Sequence, residues 1–109
     1  MRLSDVVPNL TSYILANKGA FPKVLARIVL FGSYARGTAR LGSDVDIALV
    51  ADSPWEHVDR SEIRDVFDEY NPTVSCSLFY TTTDKLEATN DKFDANYWIR
   101  KEGILLWER

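Results

Sequence analysis

The sequence predicts a small α/β protein of the α+β kind, with a mixed sheet of three to four strands and helices packed mainly on one side. Three observations predict it. Segments whose apolar residues recur at helical spacing alternate with short segments that are continuously apolar or alternate by twos. The two most apolar stretches, 24–31 and 47–51, have strand length rather than helix length. Gly, Pro and Asn punctuate most of the joins. A chain of 109 residues with 46% hydrophobic residues is expected to form one domain, 1–109. That length buries a core without disulfides, and the lone Cys76 cannot form an internal one.

Residues 1–17 read as a helix whose stripe is Leu3, Val6, Val7, Leu10, Tyr13 and Ile14. Pro8 leaves two readings open: Ser4 caps a helix with Pro8 in its first turn, or the helix begins at Pro8. Asn17-Lys18-Gly19 is a helix stop, with Gly19 able to take a positive φ. Residues 24–31 suit a strand buried on both faces, with Arg27 near its start. Ser33 suits a helix N-cap, and Gly37 closes the short helix that follows. Residues 38–43 form a loop. Residues 44–51 form the second strand, with Asp44, Asp46, Ala48 and Val50 on one face and Val45, Ile47 and Leu49 on the other.

Ser53-Pro54-Trp55-Glu56 has the pattern of a capping box with Pro at the first helical position. It predicts a helix to about Tyr70 that buries Trp55, Val58, Ile63, Val66, Phe67 and Tyr70, and that Asn71-Pro72 ends. Residues 73–80 alternate as a third strand, with Val74, Cys76 and Leu78 on one face and Thr73, Ser75, Ser77 and Phe79 on the other. Thr82 or Thr83 caps a short helix through Leu86. Asn90 or Asp91 starts a last helix that ends at Gly103, with Phe93, Tyr97 and Trp98 read as core. Residues 104–107 are an apolar tail of edge-strand type.

The net charge of −3 argues against strong nucleic-acid binding, which needs excess Lys and Arg. It leaves nucleotides open as substrates, because a metal ion neutralises a triphosphate locally. No secretory apolar segment and no membrane-length apolar run is present, so a cytoplasmic protein without membrane attachment is expected.

Two short patterns carry chemistry. A Gly directly after a buried strand, as Gly32 is, lets the backbone approach a ligand closely. The Ser33 hydroxyl can cap a helix or bind a phosphate oxygen, and the amides of that turn favour anions. Alone, Gly-Ser is more often an ordinary strand-to-helix turn. Asp44 and Asp46, two apart on a strand, lie roughly 6.5 Å apart along the backbone. Their carboxylates are hard oxygen donors that suit Mg²⁺, and alone they are more often a solvated strand end. Joined by ten residues, the two patterns supply what nucleotidyl transfer needs: a cradle for the triphosphate and a metal site at the reacting phosphorus. An Asp-x-Asp phosphatase is disfavoured, because its apolar strand precedes the aspartates and here the apolar run follows them. His57 reads as a solvated residue, Cys76 as a core thiol, and Asp52, Glu56 and Asp59 as an acidic first helical turn.

Gly32-Ser33, ten residues, then Asp44-Val45-Asp46 resembles the signature of the polymerase-beta-type nucleotidyltransferases. The surrounding residues of 28–50 look most like the minimal nucleotidyltransferases, and 102–106 is similar to that family's usual finish. The resemblance implies ATP as substrate, Mg²⁺ as cofactor (two ions in the family), and transfer of a nucleotidyl group, AMP, to a protein or other hydroxyl acceptor. It implies Gly32 and Ser33 as triphosphate holders, and Asp44 and Asp46 as catalytic metal ligands; Ser43 and Arg36 are further candidates for binding the nucleotide's phosphates, though Arg36, like Arg40, is by default a solvated arginine. It also implies an antitoxin-like pairing with a helical HEPN-type partner, with a homodimer as the other assembly. One departure stands out: the family's third carboxylate belongs on the third strand, where this chain has Ser75, Cys76 and Ser77. That loss implies a slowed enzyme or, as the alternative, a degenerate relative that binds a partner or a nucleotide without turnover.

Overall fold

A computed structural model describes residues 2–70 and 74–109. The chain runs α1 (Leu3–Ala16), β1 (Leu25–Phe31), α2 (Ser33–Arg36), β2 (Val45–Ala51), α3 (Ser61–Tyr70), β3 (Cys76–Thr82), α4 (Thr83–Ala88), α5 (Ala95–Glu102) and β4 (Ile104–Glu108). The four strands form one mixed sheet in the order β3-β2-β1-β4. β1 is antiparallel to both β2 and β4, while β2 and β3 are parallel and joined through α3. Parallel neighbours need such a crossover, and the 61–70 helical pattern provides it.

The alternation in β2 sorts the two faces. Val45, Ile47, Leu49 and Ala51 join the main core with Val6, Leu10 and Ile14 of α1 and Ile63, Phe67 and Tyr70 of α3. Ala48 and Val50 face the other way, into a smaller cluster with Val29, Leu86 of α4 and Ile99 of α5. The two long helices therefore cover one face, and the two short ones cover part of the other. β4 is an edge strand, with Ile104 and Leu105 partly exposed.

Several sequence expectations are corrected. α1 starts at Leu3, with Arg2 at its N-cap, and carries Pro8 in its second turn. Ser4 and Pro8 both lie on the exposed side, so the Ser4 carbonyl that Pro8 cannot bond is turned to solvent. Asn17 caps the helix and its Nδ2 donates to the Tyr13 carbonyl, at 2.8 Å. Gly19 sits in a 3₁₀ turn, Lys18–Ala20, and does not take a positive φ.

The helix expected from Ser53 begins at Ser61 instead. Segment 53–60 is a turn in which Trp55 is buried and donates its indole N–H to the Thr81 carbonyl, at 2.8 Å. That tertiary anchor overrides the local capping pattern. Asp59 does the capping, accepting from the Ser61 N–H at 2.9 Å and hydroxyl at 2.7 Å. Its carboxyl is held below the usual range by those bonds. Asp52 instead pairs with Arg109 at 2.6 Å, and His57 sits in the turn with φ 68. The burial expected of Trp55, Ile63, Val66, Phe67 and Tyr70 nevertheless holds.

The expected helix stop at Asn71-Pro72 and the start of the third strand at Thr73 lie outside the described residues. β3 begins at Cys76, with the faces as its alternation predicts. α4 is capped by Thr82, whose hydroxyl accepts from the Lys85 N–H at 3.3 Å. α5 starts later than expected, with Asp94 as its N-cap. Phe93 is therefore 99% exposed in the preceding turn and not part of the core, while Tyr97 and Trp98 are half-buried.

Candidate active site

Gly32 leaves β1 with φ 74 and ψ −152, a conformation that L side chains rarely adopt. It occupies the N-cap of α2, so Ser33 is the first helical residue rather than the cap. Gly37 closes the turn in the left-handed region, with φ 76. The reason for glycine at position 32 is steric as well as conformational. A Cβ built there would lie 2.1 Å from Oδ2 of Asp46. The backbone of the Gly-Ser turn and the Asp46 carboxylate thus occupy one place.

The register produces this contact. Phe31 pairs with Asp46 across β1 and β2, so the residue after Phe31 meets the aspartate as the strand ends. Asp46 points to the α4/α5 face, which the helices leave uncovered at this end. Its carboxyl is pushed above the ordinary carboxylate range, chiefly by burial, then by the charge of Asp44; Arg36 acts in the opposite sense. Asp44 is exposed immediately before β2. Arg36 ends α2 and forms an ion pair with Glu102 at 3.8 Å.

Ser43 is placed differently from the others. It closes the 40–43 turn, where its hydroxyl accepts from the Arg40 N–H at 2.9 Å. It lines a cleft of about 240 Å³ together with Leu3, Val6, Tyr34 and Ser75. Gly32, Asp44, Asp46 and Arg36 therefore gather at one end of β1 and β2, while Ser43 stands at the loop beside them.

The three candidates for the missing acid separate by register. Asp46 pairs with Ser77 on β3, and both belong to the same face. Ser77 is exposed. Cys76 pairs with Val45, faces the main core, and has its thiol pushed up to about 11 by burial and the nearby Asp44. Ser75 lies before the strand, its carbonyl accepting from the Val45 N–H at 2.9 Å. Asp68 and Glu69 sit on the exposed side of α3, a helix that packs on the opposite face. Among the described residues, no three His, Cys, Asp or Glu side chains gather closely enough to hold a metal ion by themselves. Sequence reasoning missed Glu102, whose only signal was its place in the resemblance to the family's finish.

Residues 14–97 match the model of the nucleotidyltransferase domain family. The chain belongs to that family. It is 41% identical over 63 residues to a protein of Methanocaldococcus jannaschii named as a protein adenylyltransferase, a match that covers 56% of this chain and 43% of that one. The chain thus spans under half the length of that relative. Its fold is similar to the crystal structure of a Sulfolobus solfataricus protein named as a nucleotidyltransferase, with a TM-score of 0.61 and 16% identity over 98% of this chain and 84% of that one. It is also similar to a chain of a Shewanella oneidensis complex of a tri-AMPylated HEPN toxin with its MNT antitoxin, with a TM-score of 0.53 and 16% identity over 99% of this chain and 74% of that one. At such identities these likenesses establish the nucleotidyltransferase fold. No helix among the described residues is long and apolar enough to cross a membrane.

Proposed function

We propose that this nucleotidyltransferase-family protein transfers AMP from ATP to a hydroxyl on a protein acceptor, and that the acceptor is a HEPN-type partner. The observation that carries the reading is the close approach of the Gly32 backbone to the Asp46 carboxylate, which supports a shared site for the Gly-Ser turn and the acids. The name of the M. jannaschii relative supports the reaction class, and the S. oneidensis complex supports the acceptor.

In this reading, the amides after Gly32 and the Ser33 hydroxyl hold the triphosphate tail, with Arg36 adding charge. Asp44 and Asp46 would hold a divalent cation, Mg²⁺ in a cell. Two carboxylates so close that one raises the pKa of the other fit such an ion, because the ion removes the repulsion between them. A bound ion would supply charge neutralisation on the transferring phosphoryl group. With Ser77 beside Asp46, the chain offers two acids rather than three, so we expect slow transfer. That feature also favours the second reading, a cytoplasmic partner-binding antitoxin that holds a nucleotide without turnover.

Calorimetric titration of ATP with Mg²⁺ into the wild type and Asp46→Asn tests the donor site. Binding that needs Mg²⁺ and is lost in the variant supports it; no binding to the folded wild type overturns it. Asp placed at 75, 76 and 77 in turn then separates the readings. A gain of transfer onto the partner in Ser77→Asp alone is expected, and no gain at any position favours the non-catalytic module.

A further inference from the structure

The turn at 53–60 builds a second constellation, away from the acids. Because Trp55 is anchored on the Thr81 carbonyl, the local capping pattern is given up and Arg60 stands just before α3, against β3. Trp55 and Tyr80 meet edge to face, with ring centroids 5.1 Å apart. The Arg60 guanidinium lies over both rings, 4.6 Å from the Tyr80 centroid and 5.7 Å from that of Trp55. These three residues line a cavity of about 250 Å³ together with Thr82, Lys85 and Glu56. Trp55 and Tyr80 pack on the α1/α3 face, opposite Asp46. Tyr80 pairs with Leu49, and it lies roughly 10 Å along β3 from Ser77, the neighbour of Asp46. The cavity is therefore separate from the Gly-Ser turn and the acids.

Three observations point to an anion. Arg60 is half-buried, and among the described residues neither it nor Lys85 has a carboxylate within ion-pair distance. A guanidinium stacked on aromatic faces keeps its donor edge free, in a fork that matches an oxyanion. The Tyr80 hydroxyl is buried and has no hydrogen-bond partner among the described residues. Such a group destabilises the free protein, and an oxygen reaching past Arg60 would accept from it. Lastly, two cations stand against the single exposed carboxylate of Glu56, so the lining is positive in a chain whose net charge is −3. A phosphomonoester brings close to two negative charges and three strong acceptor oxygens, enough for the fork, the ammonium and the hydroxyl together.

We propose that the Trp55–Tyr80–Arg60 cavity binds the phosphate group of a small phosphomonoester, held by Arg60 and Lys85 with the Tyr80 hydroxyl as a further donor. This site does not depend on the nucleotidyl-transfer reading. The probe is inorganic phosphate, titrated into the isotope-labelled full chain with chloride keeping the ionic strength constant. The readout is the Trp55 indole N–H resonance, identified by its loss in Trp55→Phe, with melting curves to confirm folding. A saturable shift is expected in the wild type, and its affinity should fall about tenfold in Arg60→Gln, the size of a lost charge-assisted bond. Glu56→Gln should tighten binding by removing a like charge, and Ser33→Ala should leave it unchanged. Tyr80→Phe should melt no lower than the wild type without phosphate, because an unpaired hydroxyl leaves, and should gain less from added phosphate. No saturable shift in the folded wild type, or the same affinity in Arg60→Gln, would overturn the proposal and leave the stack as packing. Weaker binding in Glu56→Gln or Ser33→Ala would overturn it too, the latter by tracing the shift to the Gly-Ser turn. Acetate that shifts the resonance as strongly as phosphate would assign the cavity to carboxylates and overturn the phosphate reading.

Discussion

The two faces of the sheet are built from alternate residues of the same strands and do opposite things. On one face Leu10, Ile14, Ile28, Ile47, Leu49 and Phe67 are closed off from solvent under α1 and α3. On the other, Ala48 and Val50 have only the short α4 and α5 above them, and beyond Ala48 the cover ends and Asp46 begins. The difference teaches where the stability resides. Burial on the first face holds β1 and β2 in register, and the second face spends that rigidity on an acid pair left within reach of water.

The largest expected effect that would break this contrast lies on the closed face. Phe67→Ala removes a side chain that is 1% exposed. It is expected to cost about 3–5 kcal/mol by urea denaturation, while the protein that remains folded binds Mg²⁺·ATP as before. Loss of binding in the folded fraction would mean that the faces are not separable.

Gly32→Ala acts on the open face. The added methyl meets Asp46 at 2.1 Å and the φ of 74 strains any other residue. A cost of about 1–3 kcal/mol is expected. Calorimetry should show nucleotide binding weakened by more than about tenfold, since the carboxylate must move. A well-tolerated alanine would disprove the shared position of turn and acid.

The smallest effect sharpens the comparison through pH. Asp46 has its folded pKa raised, so its charged form is penalised in the fold. The native protein therefore binds more protons than the unfolded chain across the window between the ordinary and raised values, and stability falls as pH rises through it. Asp46→Asn removes that dependence. Without divalent ions, the variant is expected to melt slightly higher than the wild type at neutral pH and equally at pH below the ordinary carboxylate range. Saturating Mg²⁺ should narrow the gap by stabilising the wild type alone. A variant that melts lower at neutral pH would show that the Asp46 charge supports the fold.

Much of this was legible because strand alternation is strict. Once residues 44–51 are a strand, Asp46 shares a face with Ala48 and Val50 whatever else the chain does. The same rule reduced Ser75, Cys76 and Ser77 to one candidate, but only after register paired Asp46 with Ser77. Helix starts were less legible. The 53–56 capping pattern is locally sound, yet Trp55 gains more by burial against β3, and the helix waits for Asp59. Phe93 has the helical spacing of a core residue and misses the core because Asp94, not Asn90 or Asp91, caps α5.

The sequence by itself determined the alternating elements, the mixed α/β class, and the Gly32-Ser33 and Asp44-x-Asp46 patterns, because local periodicity and turn chemistry act over a few residues. Tertiary structure alone decided that the Gly32 Cα lies against the Asp46 carboxylate, that Ser77 is the residue that stands beside Asp46, and that Glu102 reaches Arg36. Those facts depend on register between strands and on the packing of α5 against β1, which bring together residues far apart in the chain and leave no mark in local sequence.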